Sequence, residues 1–297
     1  MHNPVPERIA PFRCEVGEGP LWNPDSQLLL WLDIPPGIVY SFDPRTRAIG
    51  WRWAGAPTGG MTLQDDGSLL LFQDGRVSVL ASDGGRREVA SGLCAGNDRF
   101  NDVIADPEGR VFAGAMGGSG RLFRFDLDGH VELILDGLGI PNGMGFTPDL
   151  RQFYFIDTVP RSIYIFDYDR ATGAISRQRV FARLRDEEGF PDGMTVDADG
   201  FVWVAVWFGA RLRRYAPDGT IDGEIHFPSQ QISCPTFGGD DLGDIYVTSA
   251  NSSAADFLMG TGYIAKEPRG GDTFRVRVDG VRGRPEFRSR IHFDAAL

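Results

Sequence analysis

The 297-residue chain is short of the features that would place it in several large classes of protein. It has only three cysteines, Cys14, Cys94 and Cys234, far apart and without a CxxC pair. An odd set of isolated thiols fits a reducing compartment and excludes both a disulfide framework and a cysteine metal site. Four histidines are scattered without metal-ligand spacing. The longest apolar run, FVWVAVWFGA, is strand-like and falls well short of the ~18 residues of a membrane-spanning helix. Positive charge is scarce as well: 30 Lys and Arg stand against 41 Asp and Glu, a formal charge of −11. Nucleic acid and anionic membranes demand clustered cations, so neither is an expected partner. The start, MHNPVPERIAPF, lacks the cationic and apolar segments of a secretory signal, and a cytoplasmic location is expected. No G-x-S-x-G occurs, which argues against a Ser-His-Asp hydrolase.

What is abundant is glycine, 39 residues, about 13% against a usual ~7%. Many turns are implied, and no stretch carries a long 3.6-residue apolar period free of Gly or Pro, so helix content should be very low. A turn followed by a short apolar strand recurs six times: NPDSQLLLWLD, QDDGSLLLFQ, DPEGRVFAGA, TPDLRQFYFID, DADGFVWVAV and GDDLGDIYVTS. Anchored on Asp25, Asp66, Glu108, Asp149, Asp199 and Asp241, the repeats are separated by 41, 42, 41, 50 and 42 residues. A period of ~40 to 45 residues with several strands is that of a propeller blade. The expectation is an all-β, six-bladed β-propeller spanning residues 1–297 as one domain. A β-sandwich or two small β domains are the alternatives, and the regular period disfavours them. The long fourth interval implies extra residues within RATGAISRQRVFARLRDEEG, and closing the ring requires the segment near Ile9–Val16 to pair with DTFRVRVDG.

Seven residues before each anchor stand Glu18, Gly59, Asn101, Asn142, Asp192 and Cys234. In a propeller such equivalent positions form a ring around the central channel. Two carboxylates and two amides in one narrow space call for a positive charge between them, and hard oxygen donors suit a divalent cation. Asn-Gly and Asp-Gly can be mere turn formers, as Asp199 is in its D-G pair. Turn preference does not explain Glu18 in VGEGPLW, nor Asn101 in FND. Arg99, two before Asn101, would point the same way on a strand and aim its guanidinium at the cavity, unless it pairs outward. Cys234 is expected to be a buried, inert thiol, and Trp203 and Trp207 to be core, with Trp207 able to line the mouth.

Across nearly its whole length the chain resembles the regucalcin and gluconolactonase family, in the ordered motifs GEGPLW, RFND with DPEGR, PNGMGFTPD, FYFIDT, FPDGMTVDADGFVWVA and FGGDDLGDIYVT. The resemblance implies a six-bladed propeller with one divalent metal ion held by Glu18, Asn142 and Asp192. Calcium comes first, with Zn, Mg, Mn or Fe(II) as alternatives. It further implies Arg99 and Asn101 as substrate-binding residues and a small-molecule sugar-acid lactone as substrate. Asp192 would be catalytic, as general base or as the partner of a metal-held hydroxide. The expected function is therefore metal-dependent lactone hydrolysis by a monomer or weak homodimer. The alternatives are a phosphotriesterase or aryl esterase of the same fold, and a non-catalytic metal-binding propeller. One departure is the short GGSG loop after Met116, where the family's sugar lactonases often carry a longer, acidic loop.

Overall fold

The computed structural model describes residues 4–94, 98–260 and 264–293. Its strands form six antiparallel four-stranded sheets, and apart from two short 3-10 turns the described residues contain no helix. Consecutive strands run outward within each sheet, so each of the six repeats is one blade of a ring. The six-bladed propeller expected from the 41-to-50-residue spacing is the observed fold. Among the described residues no helix is long and apolar enough to cross a membrane.

Blades I to V are built from residues 17–53, 60–90, 99–138, 141–183 and 190–226. Blade VI takes three strands from residues 232–277 and its outermost strand, Glu7–Ala10, from the start of the chain. Glu7 pairs with Arg275 and Arg8 with Phe274, so the ring is closed by an N-terminal strand on the expected C-terminal partner, placed at Glu7–Ala10 and overlapping the expected Ile9–Val16 only at its start. The Glu7 carboxylate also accepts from Arg275 at 2.7 Å. The extra residues of the fourth interval form a ten-residue edge strand, Ala174–Arg183, and the 3-10 turn Asp186–Glu188.

The second strand of each blade is almost wholly apolar because neighbouring blades cover both of its faces. Val202–Trp207, for example, is buried at every position. The core accordingly lies between blades: Trp203 and Ala205 of blade V pack with Phe237, Ile245 and Val247 of blade VI. The outermost strands are exposed and charged, as in SRQRV of Ala174–Arg183, which blunts an open sheet edge.

Past its last strand the chain crosses the face of the ring that bears the anchor turns, and it touches all six blades. The contacts are Arg288 with Asp25, Ser289 N with Leu63 O, Arg290 N with Gly109 O, Arg284 with Thr147 O, the Ala198 N–H with Arg282 O, and Gly283 N with Leu242 O. Residues 284–287 thereby close one mouth of the central channel. The innermost strands begin at the opposite mouth.

Candidate active site on the propeller axis

Four of the six ring positions bring their side chains together at that mouth. Glu18, Asn142 and Asp192 are 4%, 4% and 6% exposed, and Asn101 is 7% exposed. Each lies near the start of an innermost strand: Gly17–Asn23, Arg99–Ala105, Pro141–Phe146 and Phe190–Val196. In each of these strands the pairing register slips at or just after the ring residue, as between Glu18 and Leu21 or between Asn142 and Met144. Such a bulge bends the strand and re-aims side chains. Here it accompanies the turn of polar groups toward the axis at positions where the neighbouring residues serve the core.

The polar groups form a continuous relay. Arg99 Nη1 donates to the Phe100 carbonyl at 2.8 Å and to Asn101 Oδ1 at 2.9 Å. Asn101 Nδ2 donates to Pro141 O at 2.9 Å and to Asn142 Oδ1 at 3.2 Å. Asn142 Nδ2 donates to Asp192 and, at 3.0 Å, to Thr158 Oγ1. Thr158 in turn donates to the Pro191 carbonyl at 2.8 Å. Glu18 Oε2 accepts from Gly19 N at 2.9 Å. Arg99 points into the cavity beside Asn101, the inward reading of the two-residue spacing. It occupies room left by Gly59, where a Cβ would overlap the Phe100 carbonyl.

Charge balance in this cup is poor. Burial, then the charges of Asp192 and Asp102, push the Glu18 carboxyl far above its usual range; burial, then Asp102, do the same to Asp192. Asp102, next to Asn101 and lining the channel below, is raised to about 7 by burial and held from rising further by Arg99. Burial lowers the Arg99 guanidinium from its normal value against the pull of these carboxylates. One cation thus faces three carboxyl groups. No three His, Cys, Asp or Glu side chains cluster as a metal site among the described residues. The donor set here instead mixes carboxylate with amide oxygen, and Glu18 Oε1 and Asp192 Oδ2 take no hydrogen bond from any described residue. Free carboxylate oxygens of like charge beside an amide oxygen fit a hard divalent cation.

The remaining ring and aromatic positions separate from this cup. Cys234 lies in the channel on the tail side, and burial raises its thiol well above the usual value, which disfavours the reactive thiolate. Trp203 is core and donates to Asp197 at 3.0 Å. Trp207 is both core and wall, 7% exposed and lining the mouth.

Apart from Trp207, sequence reasoning missed the walls and their supports. Val16, Ile34, Met116, Ile140, Trp207 and Leu258 make the mouth apolar. Asp33 accepts from the Val16 N–H at 2.9 Å and Asp157 from the Ile140 N–H at 3.0 Å, which fixes two of these wall residues at matching places in blades I and IV. The signal was present in the paired endings WLD and FID. Thr158 was also missed, although it follows the second of them directly.

Fold and site together define a six-bladed propeller with a buried cup of carboxylates and amides at one end of its axis. Residues 16–251 match the model of the SMP-30/gluconolactonase/LRE-like region, and the chain belongs to that family. It is 44% identical over 288 residues to the pentonolactonase XacC of Haloferax volcanii, covering 96% of this chain and 98% of that one. Among solved structures it resembles a luciferin-regenerating enzyme, with a TM-score of 0.90 at 26% identity, over 97% of this chain and 100% of the other. It also resembles a calcium-binding regucalcin of Agrobacterium tumefaciens, with a TM-score of 0.87 at 25% identity, over 97% and 98%.

Proposed function

We propose that the protein hydrolyses a sugar-acid lactone to the free hydroxy acid, with one divalent cation held by Glu18, Asn142 and Asp192. The observation that carries the cation is the pair of buried carboxylates, each with an oxygen that no described residue hydrogen-bonds, beside the Asn142 amide. The 44% identity to a pentonolactonase over nearly the full chain supports the lactone. When bound, the cation supplies Lewis acidity that polarises the lactone carbonyl and stabilises the developing oxyanion.

The chain's own residues do the rest. Arg99 spends one nitrogen on Phe100 and Asn101, which orients its remaining N–H groups toward the substrate oxygens. Asn101 is held by three partners and fixes the floor on which the lactone ring lies. Asp192 takes a proton from the attacking water, whose oxygen bonds to the carbonyl carbon. The ring C–O bond breaks, the departing oxygen receives a proton, and the new acid ionises. That last release makes the reaction visible by pH-stat titration. Steady acid release from sugar lactones that stops on chelation and resumes on adding Ca, Mg, Mn or Zn is expected. No release from any lactone with any of these ions would refute the proposal.

A further inference from the structure

Eight residues past each repeat anchor, at or just beyond the end of a blade's second strand, stand Asp33, Asp74, Met116, Asp157, Trp207 and Ser249. Two of these, Asp33 and Asp157, are buried carboxylates, and backbone N–H groups meet both. In blade I, Val16 N donates to Asp33 Oδ1 at 2.9 Å and Glu15 N to Oδ2 at 3.2 Å. In blade IV, Ile140 N donates to Asp157 Oδ1 at 3.0 Å, and Gly139 N reaches both oxygens, at 3.1 and 3.0 Å. A further bond repeats: Ile34 N donates to Val16 O and Thr158 N to Ile140 O, each at 3.0 Å. The clamped residues Val16 and Ile140 stand two places before Glu18 and Asn142.

Those two ligands have little other backbone support along their own strands. Gly17 and Glu18 pair with Asp33 and Leu32, Pro141 and Asn142 pair with Asp157 and Ile156, and in both blades the register slips directly afterwards. Pro141 also lacks an N–H to give to the ladder. A paired stretch of two residues between a bulge and an unheld connection would let the ligand side chain drift. A carboxylate removes that freedom by accepting from two consecutive N–H groups in charge-assisted bonds. Blade II supplies the contrast. Its ring residue is Gly59, which has no ligand to offer, and its Asp74 is spent on Arg76 at the surface, at 2.9 and 2.8 Å.

We infer that Asp33 and Asp157 are positioning residues for the cation cup, each fixing the backbone that aims one ligand, Glu18 or Asn142. This rests on the cation reading above and assigns the cup's affinity in part to two side chains outside it.

Isothermal titration of the full-length protein with Ca, repeated with Mn, compares the parent with Asp33→Ala, Asp157→Ala and Asp74→Ala, and Tm is measured on the cation-free proteins alongside. The first two variants are expected to raise Kd about tenfold or more, the lower end of the cost of removing a group that orients a metal ligand. Asp74→Ala, which breaks only a surface pair, is expected to stay within about twofold of the parent. Should an alanine variant fail to fold, the asparagine variant is titrated in its place. It keeps the size but turns an amide nitrogen against a backbone donor, and should raise Kd about threefold or more. A parental Kd in the Asp33 and Asp157 variants, even with a lowered Tm, would make these carboxylates purely structural and overturn the inference while leaving the cation in place. An equal rise in Asp74→Ala would overturn it as well, because no ligand depends on that carboxylate. A parent that binds none of Ca, Mg, Mn or Zn would instead refute the cation reading, and this inference with it.

Discussion

Asn142 donates one side-chain nitrogen to both Asp192 and Thr158, so an amide of blade IV is locked to a carboxylate of blade V by a hydroxyl that also holds the Pro191 carbonyl. Two acceptors on the nitrogen leave the amide oxygen on the side of Asn101. Thr158→Val keeps the shape and removes that lock. It is expected to lower kcat/KM about tenfold and weaken cation binding, with little change in far-UV circular dichroism, and Thr158→Ser should restore most of the loss. Unaltered kinetics and cation affinity in Thr158→Val would show that the lock is idle.

Asp192→Asn retains size and one oxygen ligand but removes the negative charge and the proton acceptor. A kcat loss of at least ~100-fold is expected at saturating cation, with the fold intact. Activity within a few-fold of the parent would exclude Asp192 as the base.

Arg99→Ala is expected to reduce kcat/KM by about 10- to 100-fold with little change in Tm when the cation is bound, if, as proposed, its remaining N–H groups serve the substrate and not the core. A large fall in Tm with unaltered kinetics would assign Arg99 to folding.

If the cup holds the proposed cation, its removal leaves Glu18 and Asp192 facing each other unscreened. Chelation is expected to lower Tm by several degrees, and re-addition at about 100 times Kd should restore about 2.7 kcal/mol of stability. Isothermal titration should read one site, and Glu18→Gln should weaken it. A Tm indifferent to chelator and cation would argue against any ion in the cup.

Acid should act through Glu188, four residues before Asp192 in the chain. Burial alone would raise its carboxyl, but hydrogen bonds from Arg213 at 2.7 Å and from Arg185 outweigh burial and bring it from 4.5 to about 2. A depressed carboxylate contributes stability above its unfolded value and loses that contribution as pH falls from about 4.5 through about 2. Glu188→Gln is therefore expected to cost on the order of 2 kcal/mol at pH 7 and almost nothing near pH 2. Parallel Tm curves for parent and variant across that range would contradict the pairing.

Much of this was legible in the chain because a propeller repeats itself. One turn chemistry recurs six times, so a single offset from Asp25 to Asp241 was enough to align Glu18, Asn101, Asn142 and Asp192 on one axis. The wall was not legible by the same route. Val16 and Leu258 come from connections and Met116 from the very end of the strand Val111–Met116, and such places are where blades stop resembling one another. Apolar residues at these places look like ordinary core until the strands are assembled. The fate of Trp207 shows why: its indole packs with Phe190 and Ala250 and still borders the cavity, two roles that one letter in a sequence does not separate.

The pairing of Glu7 with Arg275 also sets a clock. During synthesis the outermost strand of blade VI is made first and its neighbour Thr273–Arg277 among the last. At ~5 to 20 residues per second the ribosome needs about 15 to 50 s to span that interval. Five blades can emerge and stack while the sixth stands open, with its N-terminal strand tethered far from any partner. The ring, and with it the register that brings Glu18 of the first blade against Asp192 of the fifth, is completed only once Thr273–Arg277 is released. A ribosome that stops early would therefore leave an arc of blades with two bare edges and no cup.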